Sequence, residues 1–277
     1  MSLPVRRLAS PAAGRCLIVG LIAVCAALLA GCVNDSGHLS ATGAATADSR
    51  EAAAGDYLAL ALAYYEAGDL DAARRQLDIA GRHLSGQPRW RHAAALIAAA
   101  EGRPETAERH FRRALRLDAD NAAIHNNFGV LLHRLGRDGE AEEQFRLALA
   151  DPAYPGRAWA WENLGRSLLR RQQFTEAARA FAAALEINRE LPVAALELSL
   201  LHRRAGEIAA ARRVFGEYLR IAGEQRLEHG PKALFAGAEF AWRDGNRKQV
   251  EEFGAILGTL YPETAEYQAY RDLIDGD

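Results

Sequence analysis

Cysteine is almost absent from this 277-residue chain, and its three cysteines, Cys16, Cys25 and Cys32, all fall within the first 32 residues. Residues 33–277 therefore hold no thiol for a disulfide, a metal site or a nucleophile. Long hydrophobic runs are lacking too: the apolar stretch from Cys16 to Leu29 has 14 residues, short of the roughly 20 a bilayer-spanning helix needs. Neither sign of charge dominates, with 34 basic and 36 acidic residues, so overall composition gives no reason to expect nucleic acid or an anionic lipid as partner. Catalytic signatures are missing as well. His83, His92, His110, His125, His133 and His202 lie on expected helices, but none forms the His-Glu-x-x-His face of a zinc site, and there is neither a Gly-rich phosphate loop nor a Gly-x-Ser-x-Gly elbow. The many Glu and Arg residues at helical spacing read as a solvated face with i to i+4 pairs. The expectation is a protein that is not an enzyme, without cofactor, metal or small-molecule substrate.

What is present begins with an address. Arg6, Arg7 and Arg15 precede the apolar stretch, and Leu29-Ala30-Gly31-Cys32 follows it, the layout of a secretory signal peptide that ends in a string resembling a bacterial lipobox. That resemblance implies removal of residues 1–31 and lipid on Cys32. One acyl chain holds a protein only marginally, with an association constant on the order of 10⁴ M⁻¹, whereas the diacylglyceryl and N-acyl groups of such lipoproteins would make the anchor permanent. Val33, rather than an Asp, follows the cysteine, which by the same resemblance directs the protein to the periplasmic face of the outer membrane. Processing removes three arginines and no acid, leaving a net charge of −5. Residues 32–53 then form the lipidated cysteine and a polar tether, whose 18-residue Val33–Arg50 stretch spans about 20–25 Å as a flexible coil.

From residue 54 the chain repeats itself. Ala73, Ala107 and Ala141 are spaced by 34 residues, as are Leu77, Phe111 and Phe145, and Ala80, Ala114 and Ala148; the pattern returns with Ala177, Phe181 and Ala184, then with Ala211, Phe215 and Tyr218. Gly68, Gly102, Gly136 and Gly206 mark the turn within four repeats, with Gln172 in their place in the fourth, so that turn is expected to be strained or differently capped. A sixth, worn unit runs from Pro231 through Gly245, with Gly254 where an aromatic is expected. This spacing of large and small residues resembles the tetratricopeptide repeat, a helix-turn-helix unit of about 34 residues. The fold class it implies is all-α, a right-handed superhelical solenoid of about six helix-turn-helix repeats over residues 54–262, starting near 54, 88, 122, 158, 192 and 231. Residues 263–277 add a C-terminal capping helix and tail.

Solenoids of this kind act through the groove lined by the first helix of each repeat. On the repeat consensus the groove includes Asn126, Asn127, Val130, His133 and Arg134 in the third repeat and Trp159, Glu162, Asn163, Arg166 and Arg170 in the fourth. Asn127 and Asn163 occupy equivalent places; an Asn amide both donates and accepts, so it either reads a peptide backbone or bonds the neighbouring helix. Leu58, Leu62 and Tyr65, with Leu196 and Leu200, make the two ends of the groove apolar or else pack against the next repeat. Arg89, Arg134 and Arg166 are scattered, unlike a clamp for a free C-terminal carboxylate.

One loop narrows the family. After the helix Ile124-His125-Asn126-Asn127-Phe128-Gly129, the chain reads Asp151-Pro152-Ala153-Tyr154-Pro155-Gly156-Arg157 between the third and fourth repeats. Asp151, Pro152 and Pro155 stop the helix and prescribe a stiff loop, in which Tyr154 and Arg157 are expected to shape the junction rather than bind. Together with the lipobox, the tether and the closing Leu260-Tyr261-Pro262-Glu263-Thr264-Ala265-Glu266-Tyr267-Gln268 stretch, this resembles the PilF/PilW family of type IV pilus biogenesis lipoproteins. The resemblance implies a pilotin that binds the secretin subunit and promotes its outer-membrane localisation and multimerisation. An adaptor that recruits cell-wall or other envelope enzymes is the alternative for the same anchor and groove.

Overall fold

Two sequence signals recur with the period and set the helix ends. Gly68, Gly102, Gly136, Gly206 and Gly245 adopt φ of +67° to +78°. The next residue's amide then reaches back to a carbonyl of the preceding helix, as from Asp69 to Tyr64, Arg103 to Ala98 and Arg137 to Leu132, each 2.9 Å. That is the Schellman closure, which satisfies helix-end carbonyls at the cost of a left-handed residue. Helix starts use Pro88, Pro104, Pro192 and Pro231 in the first turn, or side-chain caps such as Asp69 on Ala72 N (2.9 Å) and Asn121 on Ile124 N (3.1 Å).

The computed structural model describes residues 46–276, and among them there are thirteen helices and no strand. Repeat one is α1 (Ala47–Glu66) and α2 (Leu70–Leu84); repeat two α3 (Pro88–Ala100) and α4 (Pro104–Leu117); repeat three α5 (Ala122–Arg134) and α6 (Asp138–Leu149). Repeat four is α7 (Arg157–Arg170) and α8 (Phe174–Ile187), repeat five α9 (Pro192–Arg204) and α10 (Ile208–Glu224), repeat six α11 (Pro231–Arg243) and α12 (Arg247–Leu260). The last helix, α13 (Ala265–Asp275), packs on α11 and α12. The result is an all-helical tetratricopeptide solenoid. No described helix is long and apolar enough to cross a membrane. Ala47–Asp277 forms one compact unit, with all of its buried clusters inside it. The lipobox, Cys32 and the tether up to residue 45 lie outside the described residues.

Residues 47–53, expected in the tether, are instead the first two turns of α1. Alanines at 47, 52 and 53 favour helix, Asp48 suits its positive end, and Glu51 is held by Gln87 Nε2 (2.6 Å) and Arg89 (3.6 Å) of the second repeat.

Between the helices of a pair, a ring meets a glycine. A Cβ on Gly129 would come within 2.6 Å of the Phe145 ring, and one on Gly165 within 2.8 Å of Phe181; both rings are fully buried. Gly237 faces Phe253 in the same way at 2.7 Å. This corrects the sixth repeat, because the aromatic stands at Phe253, one residue before the expected position. Gly254 serves the end of the stack instead. A Cβ there would fall 1.9 Å from Tyr270 of α13, so its bare backbone is the seat into which the capping helix plugs.

Gln172 keeps the geometry of its glycine counterparts, with φ +59° and the same 2.9 Å closure from Gln173 N to Leu168 O. The turn is strained rather than recapped. Replacing Gln172 with Gly relieves a left-handed cost of about 1–2 kcal/mol but loosens the unfolded chain, so a net gain of up to about 1 kcal/mol is expected. Thermal unfolding of Gln172→Gly, with the midpoint raised by a few degrees, checks this.

Candidate functional site

The first helices of repeats two to six carry polar side chains that bond from one repeat to the next. Asn127 Nδ2 donates to Nε2 of His92 in α3 (2.9 Å), Asn126 Nδ2 to Asn127 Oδ1 (3.3 Å), and Asn163 Nδ2 of α7 to Asn126 Oδ1 (3.2 Å). Further along, Glu162 accepts from Ala194 N at the start of α9 (3.1 Å), Lys232 of α11 approaches Glu197 (3.6 Å), and Arg203 pairs with Glu239. Together these bonds link successive first helices, so the ladder fixes the angle between neighbouring repeats.

Asn126 is the hub. It is 7% exposed and lies beside Tyr154, whose pKa burial pushes up against an opposing pull from Asn126. Tyr154 lies over Gly156, where a Cβ would be 2.4 Å from its ring, and packs against Ala122, Ala148 and Ala160. The loop beneath is tied by Ala153 N to Asp151 Oδ1 (2.8 Å) and Arg157 N to Tyr154 O (3.2 Å), with Asp151, Pro152 and Pro155 exposed. The two halves of the sequence signature, the Asn-Asn helix and the Asp-Pro loop, thus meet at Asn126 and Tyr154. Arg157 is half-buried at the start of α7, with its Nε buried and unpartnered.

Two residues expected in the groove are placed otherwise. Leu58 is 5% exposed within the core shared by repeats one and two, because its helix turns that face onto α2 and α3; Leu62 and Tyr65 are half-buried against the same cluster. Asn126 is withdrawn by its own bonds, and Asn127 and Asn163 spend part of their capacity on the ladder. Trp159 and Arg166 do face solvent, Trp159 at 53% exposure, and Val193 repeats its position in the next unit at 42%. Beyond them Leu200, Arg203, Lys232 and Phe235 meet Ala265, Glu266 and Ala269 of α13 around a cavity of ≈ 330 Å³. The capping-helix wall of this cavity is not legible in the sequence, since repeat consensus stops at residue 262.

A serine, a histidine and an aspartate come together here, but not as a nucleophilic triad. Asp138 Oδ1 (2.6 Å) and Ser167 Oγ (3.0 Å) both approach Nδ1 of His133, while Arg170 Nη2 donates to its Nε2 (2.8 Å). Nε2 must then be the bare nitrogen and Nδ1 the protonated one, so the ring cannot take the Ser167 proton through the nitrogen it faces. Ser167 is fully buried. Burial holds His133 below its ordinary pKa, opposed by Asp138. The cluster locks α5 to α6 and α7. Among the described residues no group of three or more His, Cys, Asp or Glu side chains could hold a metal ion.

Family models for the tetratricopeptide repeat match residues 92–158 and 158–191, with shorter matches at 57–78 and 192–217. Over 227 residues the sequence is 30% identical to the type IV pilus assembly protein PilF of Pseudomonas aeruginosa, covering 82% of this chain and 88% of that one. The chain belongs to the PilF family. A solved structure of Pseudomonas aeruginosa PilF is similar with a TM-score of 0.75 at 29% identity, covering 80% of this chain and 98% of the other. The structure of PilW, a widely conserved type IV pilus biogenesis factor, gives a TM-score of 0.65 at 27% identity over 78% of this chain and 97% of the other.

Proposed function

We propose that this chain is a lipid-anchored pilotin of the outer membrane, which binds the secretin subunit of a type IV pilus machine and promotes assembly of its ring. Membership of the PilF family supports a role in type IV pilus biogenesis, and the observation that carries the finer reading is the bond from Asn163 Nδ2 to Asn126 Oδ1 (3.2 Å). It holds repeats three and four in one fixed relation and leaves Trp159, Arg166 and Val193 on the solvent side of that frame. The protein acts by binding rather than catalysis. Cys32 supplies the membrane address, residues 33–46 the reach, and the groove from Trp159 to the cavity under α13 the grip on a secretin segment.

Two measurements test this. In membranes from cells carrying Cys32→Ala, gradient fractionation and a gel that preserves the multimer are expected to show the secretin ring lost from the outer membrane while the protein persists. A ring unchanged in amount and location overturns the pilotin reading and leaves the envelope adaptor. Separately, Trp159→Ala removes a large exposed anchor without touching the core, so it is expected to cost about 2 kcal/mol in partner affinity, some thirtyfold, with unchanged unfolding midpoint. Equal affinity would place the grip elsewhere on the solenoid.

A further inference from the structure

The near-neutral total conceals an uneven distribution. Residues 82–116 carry eight arginines, Arg82, Arg89, Arg91, Arg103, Arg109, Arg112, Arg113 and Arg116, against Glu101, Glu105 and Glu108. Glu101 is engaged by Arg74 and Arg103, and Glu108 by Arg112 and Arg137. Glu105, in the first turn of α4, is the acid left over on that helix. Arg109, Arg113 and Arg116 stand at i, i+4 and i+7, one exposed face of α4, with no acidic partner among the described residues. Arg109 bonds only Thr106 Oγ1 (2.9 Å). Like charges at this spacing cost an isolated helix a few tenths of a kcal/mol per pair, and no ion pair among the described residues offsets that cost.

Neighbouring groups extend the stripe. The Arg91 guanidinium lies 5.0 Å from the Trp90 ring centroid, and Trp90 meets the His110 ring edge-on at 5.8 Å. Arg91 feels Arg113 strongly enough to lower its own pKa, after burial, and His110 is pushed down first by burial and then by Arg91, Arg109, Arg113 and Arg103. His110 Nδ1 is buried without a partner. Leu117, one turn beyond Arg113 on the same face, is 54% exposed. The stripe belongs to this repeat alone: the places of Arg109 and Arg113 are Glu143 and Leu147 in the third repeat, Arg179 and Ala183 in the fourth, Arg213 and Glu217 in the fifth.

We infer that the arginine stripe of α4, with Leu117 beside it, docks the solenoid onto an anionic phospholipid surface. Charge complementarity names the occupant. The stripe is a straight, open row on a second helix of its repeat, away from the groove of the first helices, which suits a plane of phosphates better than an extended chain. An exposed leucine among cations fits an interface where the headgroups meet the acyl region. Repeats one and two also follow the tether directly, so the inference rests in part on the lipid-anchor reading. Docking would fix which way the groove faces once the anchor has fixed where the protein is.

The test uses the chain from Val33, which keeps the whole Ala47–Asp277 unit and has no site for lipid. Flotation with vesicles of phosphatidylcholine containing one third phosphatidylglycerol is expected to carry the protein, vesicles of phosphatidylcholine alone are not, and high salt is expected to release it. An arginine near such a surface contributes roughly a fivefold gain in partitioning, so Arg109→Gln with Arg113→Gln lowers it about 25-fold. The paired control, Arg179→Gln with Arg213→Gln, leaves it unchanged. Equal binding to both vesicles, or equal loss in the control, overturns the proposal. So does release by inorganic phosphate at matched ionic strength, which would mean a discrete phosphate site. Mass spectrometry of the mature N-terminus tests the anchor separately, so either can fail without the other.

Discussion

Gly165→Val is expected to destabilise the protein by about 3 kcal/mol, the upper end for overpacking a filled core. The Phe181 ring lies 2.8 Å from where the new Cβ would sit and is itself fully buried, so it has no free space to retreat into. Either α7 and α8 move apart or the ring leaves its rotamer, and both open the main core. Phe181→Ala empties the same space from the other side and is expected to cost about 3–5 kcal/mol. Urea unfolding followed by circular dichroism measures each, and a thermal scan should lower the midpoint by roughly 2–4 °C per kcal/mol in a chain of this size. Because the two residues share one volume, Gly165→Val combined with Phe181→Leu should cost less than the sum of the single changes. Strict additivity would mean the ring and the glycine are not in contact. The variant also bears on function, since α7 carries Trp159, Asn163 and Arg166.

Acid is expected to weaken the fold through His92. Burial lowers its pKa from 6.5 to about 4, and its Nε2 accepts from Asn127 Nδ2, a bond that protonation removes. A histidine depressed in the folded state contributes fully above pH 6.5, where both states are neutral. Between pH 6.5 and 4 the unfolded chain binds a proton and the folded one does not, so stability falls with pH, by up to about 3 kcal/mol at the low end. His92→Gln keeps an acceptor for Asn127 without a titrating ring. Stability curves of the two proteins are expected to run parallel above pH 6.5 and to part below it, the wild type losing stability relative to the variant, with the difference between their slopes near one proton at pH 5–6. Curves parallel throughout would show that His92 is solvated when folded. His133, His110 and His229 are shifted in the same direction by burial, so they are expected to add to the loss of stability in acid.

The resemblance to the PilF family is legible because its signature is local. Asp151-Pro152 and Pro155 prescribe a stiff loop from backbone restriction alone, and the Asn-Asn-Phe-Gly helix is a contiguous string. That Asn163 bonds Asn126 is not legible, since they lie 37 positions apart and neither residue type announces a partner. The same limit explains why Leu58 and Asn126 are not groove residues. A consensus position says which way a helix residue points on average, whereas the burial of Leu58 depends on α3 closing over the first repeat. Gly254 departs from expectation for a related reason. A one-residue shift in the worn sixth repeat moves the aromatic to Phe253, and the glycine's purpose depends on a capping helix beyond the repeat.

The sequence by itself determined the helix pairs, the left-handed turns and the ring-on-glycine packing, all of which depend on residues close in the chain and on a period of about 34 that copies one set of contacts along the stack. Only the tertiary structure decided which polar groups are consumed between repeats, where an opening to solvent remains, and how α13 seals the end. Those depend on the angle between neighbouring repeats, which is set by bonds such as Asn126 to Asn163 and Glu162 to Ala194 between groups some 32 to 37 residues apart. A linear pattern carries the residues for such bonds but not the distance that makes them.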